Sequence, residues 1–208
     1  MSIAISTRKP RGQGAARRGE ILAAAKRLFL AEGYEHATMR RIAAEIGVSA
    51  AALYGHFPDK EAILRAIAEA TFGELLVRLE ESQRGDDPPL DRLRAGLRAY
   101  VAFGLARPDE YRLVFLTKMI TPRHRADPCA GPAIEAADRS FAILERGVAA
   151  LMTQALPAAP GETLATAEAI WACLHGTTAL LLDQPEHLLT PADRLVDAVI
   201  GLVLRGVA

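Results

Sequence analysis

The polar residues best suited to chemistry lie between Thr38 and Lys60, and the chemistry that they suit is the binding of a polyanion. They carry hydroxyl, guanidinium, imidazole and ammonium donors: Thr38, Arg40, Arg41, Ser49, Tyr54, His56 and Lys60. Such donors bind phosphate oxygens and base edges of DNA. The five histidines lack metal-ligand spacing, and no nucleophile elbow, phosphate loop or His-Glu-x-x-His is found. We therefore expect a DNA-binding protein without catalytic groups, metal or cofactor.

This stretch predicts two short helices joined by a tight turn. Thr38 is a suitable N-cap for the first helix, whose apolar residues recur at helical spacing as Ile42, Ala43 and Ile46. Gly47 ends that helix, because glycine adopts left-handed backbone angles without a Cβ penalty. Ser49 caps the second helix, with Ala52 and Leu53 expected to face inward. The pattern is helix-turn-helix, in which the second helix enters the DNA major groove.

The second helix is unusual as a reader of bases. Ala50 and Ala51 can touch a thymine methyl group but can neither donate nor accept a hydrogen bond. Base discrimination would then fall to the remaining candidates, which are Arg40 or Arg41, Ser49, Tyr54, the backbone at Gly55, and His56. Two alternatives stay open: Tyr54 as a half-buried aromatic, and Arg40 and Arg41 as a solvated face.

The same stretch resembles the DNA-binding domain of the tetracycline-repressor (TetR) family over roughly residues 17–65. The resemblance rests on Gly33-Tyr34, Thr38, Ile42-Ala43, Gly47-Val48-Ser49, Leu53-Tyr54, Phe57 and Lys60. It implies that Thr38, Tyr54, His56 and Lys60 hold phosphates. It also implies a homodimer on a palindromic operator and a small-molecule effector that releases the DNA.

Charge is divided unevenly along the 208 residues. Residues 1–60 hold ten Lys and Arg against five Asp and Glu, a net charge of +5, whereas the whole chain has a net charge of zero. The basic N-terminal segment, residues 1–60, is therefore the part expected to touch nucleic acid. Residues 1–15 are either a plain flexible tail or a basic arm that approaches phosphates or a minor groove through Arg8, Lys9 and Arg11, continued by Arg17 and Arg18.

Half of the residues are hydrophobic, and their periodicity predicts an all-α protein of two domains. The helix-turn-helix domain covers residues 16–62, and a helical ligand-binding and dimerisation domain covers 63–208. Helices are expected at about 16–32, from Asp59 beyond Leu79, from a cap at Asp91 to Pro108, from Tyr111 to Thr121, and at about 133–156, 162–183 and 191–206. The helix from Asp59 would connect the two domains as a lever.

A ligand cavity in the second domain is suggested by aromatic and Met side chains. Trp171, His175 and Gly176 resemble a Trp-x-x-x-His-Gly signature of one C-terminal subclass of these regulators, and Trp171 and His175 share a helix face. The candidate lining is Tyr100, Phe103, Tyr111, Phe115, Met119, Phe141, Met152, Trp171 and His175. It would suit an apolar or amphipathic small molecule. The alternative is a packed core in which His175 is a satisfied histidine beside a glycine that permits close helix packing.

The last helix carries apolar residues on nearly all sides, so it must be covered. We expect the cover to be the last two helices of a second copy, in an intermolecular four-helix bundle. The expected interface residues are Leu174, Leu181, Val196, Val199, Ile200 and Val203.

The cysteines and the start of the chain carry no signal of a disulfide framework or of secretion. Cys129 and Cys173 do not make a disulfide framework, and the start of the chain lacks the apolar core of a signal peptide. We therefore expect a cytoplasmic, ligand-responsive repressor. An activator, a ligand-independent DNA binder of the same fold, and a catalytic helical protein remain as alternatives.

Overall fold

The computed structural model describes residues 13–116, 131–155 and 161–207, and within them the regular structure is helical. This confirms the all-α prediction. The nine α-helices of these ranges are α1 (Gln13–Glu32), α2 (Met39–Glu45), α3 (Ala50–Tyr54), α4 (Lys60–Ser82), α5 (Pro89–Ala106), α6 (Pro108–Tyr111), α7 (Gly131–Ala155), α8 (Glu162–Asp183) and α9 (Ala192–Arg205). A π-helical turn, Arg112–Leu116, follows α6, and a 3-10 turn, Pro185–His187, follows α8.

The chain divides into two compact units, Met1–Ile67 and Ala68–Ala208, so the boundary falls within α4 rather than at residue 62. In the first unit, local signals place the short helices. The Thr38 hydroxyl accepts a hydrogen bond from the Arg41 amide at 3.3 Å, and the Ser49 hydroxyl accepts one from the Ala52 amide at 3.1 Å. Gly47, between the two helices, has a φ of +66°. The predicted caps and turn are therefore present.

Apolar side chains from all four helices of the first unit form its core. The fully buried members include Ile21, Ile42, Leu53, Phe57 and Ile63. Ala52 does not belong to this core, contrary to expectation, because it is exposed. In a helix of five residues, turning Leu53 inward leaves Ala51 and Ala52 on the solvent side.

In the second unit, α5, α7 and α8 pack against one another, and α9 packs against α5 and α8. Gly104 lies at a close approach between α5 and α8. A Cβ atom built on Gly104 would lie 2.5 Å from Cγ2 of Thr178 and 3.0 Å from Cδ2 of Tyr111. Gly176 has no such role, because a Cβ atom there would meet nothing within 4 Å. The alternative, in which Gly176 permits close helix packing, is therefore wrong on this point within the subunit.

Two helix starts and one helix face differ from expectation. Helix α5 begins at Pro89 with Pro88 at its N-cap, so Asp91 lies in the first turn and is not the cap. Proline suits the first helical position because its φ is fixed and the missing N–H would have been unpaired there. The helix predicted from Tyr111 is instead the four-residue α6 and the π-helical turn, and the residues beyond Leu116 lie outside the described ranges.

Helix α9 is amphipathic and not apolar all round. Ile200 and Leu204 are buried, whereas Asp193, Arg194, Asp197 and Arg205 are exposed. The Asp197 carboxylate lies 2.7 Å from the guanidinium of Arg98 on α5. One side of α9 is therefore covered within the subunit.

Candidate nucleic-acid interface and ligand cavity

The exposed side of the helix-turn-helix is formed by α3 and the ends that flank it. Tyr54 is 52% exposed, so its side chain reaches solvent although about half of its surface is covered. Ala51, Ser49 and Gly55 are also exposed, and Ala50 and His56 are half-buried. Ala52, which was predicted to face inward, is also part of this exposed surface. The face of α3 is therefore small and methyl-rich, with one large polar side chain at its C-terminal end.

Arg40 and Arg41 differ although they are neighbours on α2. The Arg41 guanidinium forms an ion pair with the carboxylate of Glu32, and its side chain is 58% exposed. Arg40 is exposed, and no charged partner faces it within the part of the chain that the structure describes. Arg40 is thus the guanidinium that is not already neutralised by a carboxylate.

Lys60 lies at the first residue of α4 and is engaged within the first unit. Its ammonium donates to the carbonyl oxygens of Tyr34 at 2.9 Å and Glu35 at 3.3 Å. An ammonium has three N–H donors, so one remains for a phosphate oxygen. Lys60 therefore has a structural role that sequence reasoning did not foresee.

The hydroxyls of Thr38 and Ser49 accept the capping bonds, so their own O–H groups stay available as donors at two exposed helix starts. Of the predicted basic arm, residues 1–12 lie outside the described ranges. Arg17 forms an ion pair with Glu20 at 2.6 Å. The Arg18 guanidinium lies 4.2 Å from the centre of the Phe57 ring, which gives Arg18 a contact with the core of the first unit.

The second unit contains a cavity of about 640 Å³ between α4, α5, α7, α8 and the π-helical turn. Cavities of roughly 300–1,000 Å³ commonly hold small-molecule ligands. The predicted residues that line it are Tyr100, Phe115, Phe141 and Trp171. The cavity is also lined by Phe72, Leu75 and Leu79 of α4 and by Ile134, Leu144 and Leu164 of α7 and α8, none of which was predicted as a lining residue.

Four other predicted lining residues are placed elsewhere, and Met119 lies outside the described ranges. Phe103, Tyr111, Met152 and His175 are not part of the cavity wall. Phe103 and Tyr111 are fully buried, because close packing around Gly104 turns this end of α5 into core. The periodicity of the sequence gives the helix face of a residue but not whether that face meets a neighbour or a void.

Tyr100, Tyr111 and His175 form a hydrogen-bonded cluster. The two hydroxyl oxygens are 3.0 Å apart, and Nδ1 of His175 lies 2.8 Å from the Tyr111 hydroxyl and 3.3 Å from that of Tyr100. Burial raises the pKa of Tyr111 to about 12 and that of Tyr100 well above its ordinary value. Burial lowers the pKa of His175. The cluster is therefore neutral near pH 7, and His175 is a satisfied histidine one layer behind the cavity wall.

The predicted interface residues divide into two groups. Leu174 and Ile200 are each 2% exposed, so they have no surface left to bury against a second copy. The prediction of these two residues as interface residues was wrong, because apolar character alone does not distinguish a side chain of the subunit core from one of an interface. Leu181, Val196, Val199 and Val203 are half-buried. The large apolar side chains that protrude from α8 and α9 are Leu164, 44% exposed, Trp171, 40%, Leu180, 43%, and Leu202, 62%, and none of them was among the expected interface residues.

No helix of the described ranges is both long and apolar enough to cross a membrane. No group of three or more His, Cys, Asp or Glu side chains that could hold a metal ion occurs in the same ranges.

Two family models match this chain. The model described as "Bacterial regulatory proteins, tetR family" matches residues 21–67. The model described as "Tetracyclin repressor-like, C-terminal domain" matches residues 93–203, more than half of the chain.

The proteins similar to this chain include a transcriptional activator and a transcriptional repressor. The chain is 33% identical over 105 residues to the HTH-type transcriptional activator FasR of Mycolicibacterium smegmatis, covering 50% of this chain and 48% of FasR. It is 34% identical over 114 residues to the HTH-type transcriptional repressor Rv1474c of Mycobacterium tuberculosis, covering 55% and 54%. The matches thus span about half the length of these relatives. A tetR-family regulatory protein from Rhodococcus RHA1 shares the fold, with a TM-score of 0.75, 23% identity, and coverage of 92% of this chain and 96% of that one.

Proposed function

The chain belongs to the TetR family of bacterial regulatory proteins, and we propose that it is a DNA-binding transcriptional repressor that acts as a homodimer in the cytoplasm. The observation that carries the proposal is the capped α2–Gly47–α3 unit, with its exposed Tyr54, within residues 21–67 of the family match. A short helix with a methyl-rich face fits close to base edges in a major groove.

The proposed contacts follow from the polar groups around α3. Thr38, Ser49, Tyr54 and His56 donate to phosphates, and Arg40 supplies the strongest electrostatic contact because no carboxylate neutralises it within the described residues. Ala50, Ala51 and the backbone of Gly55 approach base edges. A phosphate that binds Arg41 has to compete with the carboxylate of Glu32. Lys60 binds a phosphate through the N–H donor that its two carbonyl contacts leave over.

We propose that two copies join through α8 and α9 in a four-helix bundle. Support comes from the protruding Leu180 and Leu202 and from the half-buried Leu181, Val199 and Val203. A two-fold dimer requires a palindromic operator, with half-sites about one helical turn, roughly 34–36 Å, apart or wider.

The cavity is the proposed effector site, and α4 is the proposed connection to DNA binding. Phe72, Leu75 and Leu79 of α4 line the cavity, and α4 begins in the first unit at Lys60. An effector that favours one α4 position would therefore change operator affinity. By linkage, DNA would change effector affinity by the same factor.

Reporter output separates the repressor from the activator, which the similarity to FasR supports as the second candidate. Deleting the gene should raise transcription from the promoter that the protein binds. A fall in transcription after deletion would assign the activator role instead, and unchanged transcription would contradict both.

A further inference from the structure

Among the described residues, the charged side chains that line the 640 Å³ cavity are all acidic. Asp138, Glu145 and Glu168 contribute carboxylates to its wall. Within the part of the chain that the structure describes, no Lys, Arg or His side chain lines it. An apolar cavity with a negative rim favours a positively charged guest and disfavours an anionic one.

The carboxylates are placed regularly among apolar side chains. On α7, Ile134, Asp138, Phe141 and Glu145 follow one another at spacings of four, three and four residues, which puts them on one helix face. On α8, Leu164, Glu168 and Trp171 are spaced in the same way. Each helix therefore presents a stripe that alternates apolar and acidic side chains toward the cavity.

Two of the carboxylates are not neutralised by the protein in the described ranges. Glu145 is half-buried and Glu168 is exposed, and neither forms an ion pair there. A separate pocket of about 250 Å³ contains Arg92 and Arg146 and shares only Gln83 and Ile143 with the larger cavity. The guanidiniums thus line a different pocket.

Aromatic rings complete the environment. Phe72, Tyr100, Phe115, Phe141 and Trp171 all line the cavity. The faces of such rings attract organic cations, most strongly when water is displaced. Phe141 and Trp171 stand edge to face with their centres 6.5 Å apart, so ring faces and carboxylates occur on the same two helices.

We propose that the effector of this cavity is an amphipathic organic cation, with a quaternary or protonated amine near Glu145 and Glu168 and an apolar body among the rings. This inference deepens the proposed function and rests on it, because a ligand of the cavity is an effector only if its binding changes DNA binding. It excludes fatty acids and other amphipathic anions as preferred ligands.

The test compares three probes with the same alkyl chain: decyltrimethylammonium, decanol and decanoate. Trp171 is the single tryptophan of the chain and lines the cavity, so its emission reports binding without a label. We expect decyltrimethylammonium to bind about tenfold more tightly than decanoate, with decanol between them.

The double variant Glu145→Gln/Glu168→Gln removes the charge and keeps the side-chain shape. It should weaken binding of the cation about tenfold and leave decanol binding unchanged. Glu135→Gln, an exposed position on α7 outside the cavity wall, is the matched control and should change neither affinity. Thermal melting verifies that both variants fold.

Three results would overturn the inference: decanoate binding as tightly as the cation, cation affinity unchanged in the double variant, or no binding of any probe. Operator release is measured separately. Cation binding without release of DNA would contradict the effector part of the proposed function but not the ligand class. Release by decanoate alone would contradict the ligand class but not the proposed function.

Discussion

The ammonium of Lys60 lies 2.9 Å from the carbonyl oxygen of Tyr34 and 4.3 Å from the centre of the Tyr34 ring. This contact joins the first residue of α4 to the connection between α1 and α2. The same Lys60 is a candidate phosphate ligand. Its removal therefore affects the fold of the first unit as well as DNA binding.

Lys60→Ala should lower the stability of the protein by about 1 kcal/mol, because two charge-assisted hydrogen bonds and a cation–π contact are lost. Thermal melting without DNA measures this directly. Arg40→Ala is the control, since Arg40 is exposed and should leave the melting midpoint unchanged. An unchanged midpoint for Lys60→Ala would show that the contact contributes nothing.

Arg40→Ala should weaken binding to any DNA sequence and make the slope of log K against log salt shallower by about 0.9, the value for one phosphate contact. The measurement is fluorescence anisotropy at several salt concentrations. Arg27→Ala is a suitable comparison, because Arg27 is already paired with Glu45 at 3.1 Å. A slope that stays the same would mean that Arg40 touches no phosphate.

Gly104→Ala should destabilise the second unit by about 1–3 kcal/mol, because the new methyl group would overlap Thr178 and crowd Tyr111. Gly73→Ala has nothing within 4 Å of the new Cβ atom and should gain about 0.5–1 kcal/mol from helix propensity. Chemical denaturation of both variants tests the pair. Equal effects of the two substitutions would contradict the close approach of α5 and α8.

The pH dependence of stability should report His175. Burial lowers its pKa below the ordinary value of 6.5. Between the lowered pKa of the folded protein and the ordinary pKa of the unfolded chain, the unfolded chain binds more protons than the folded protein. Stability therefore falls as pH drops below about 6.5. His175→Gln should flatten that fall relative to the wild type, whereas His187→Gln, at an exposed position, should not. Parallel melting-against-pH curves for wild type and His175→Gln would contradict the buried, neutral imidazole.

Leu202→Glu should split the proposed dimer, because Leu202 is the most exposed large apolar residue of α9. The substitution Val199→Glu should act in the same direction. Sedimentation velocity measures the state, and Ala102→Glu, at an exposed position on α5, is the control. Dimers that persist in Leu202→Glu and Val199→Glu would place the interface elsewhere.

Helices with strong end signals were predictable from the sequence, and the functional surfaces were less so. Thr38, Gly47 and Ser49 act through bonds and angles within a few residues, so their roles in the fold follow from local chemistry. The inward placement expected of Ala52 failed because alanine is compatible with either side of a short helix.

The cavity was only partly predictable for a related reason. Phe103 and Phe115 have the same side chain, yet Phe103 is packed into the core and Phe115 lines the cavity. Only the distances between helices decide this, and sequence periodicity contains no such distances. Likewise, the ion pair of Arg41 with Glu32 joins different helices, so helical spacing could not reveal which arginine is neutralised.

The central claim is that the helix-turn-helix binds a palindromic operator as part of a dimer. The most direct measurement is a nuclease footprint on the DNA that flanks the gene, using the full chain. The account predicts one protected palindrome at low salt, with two subunits bound per site and protection lost in Arg40→Ala as salt is raised. Absence of any protected sequence at low salt, or binding of one subunit to a non-palindromic site, would contradict it.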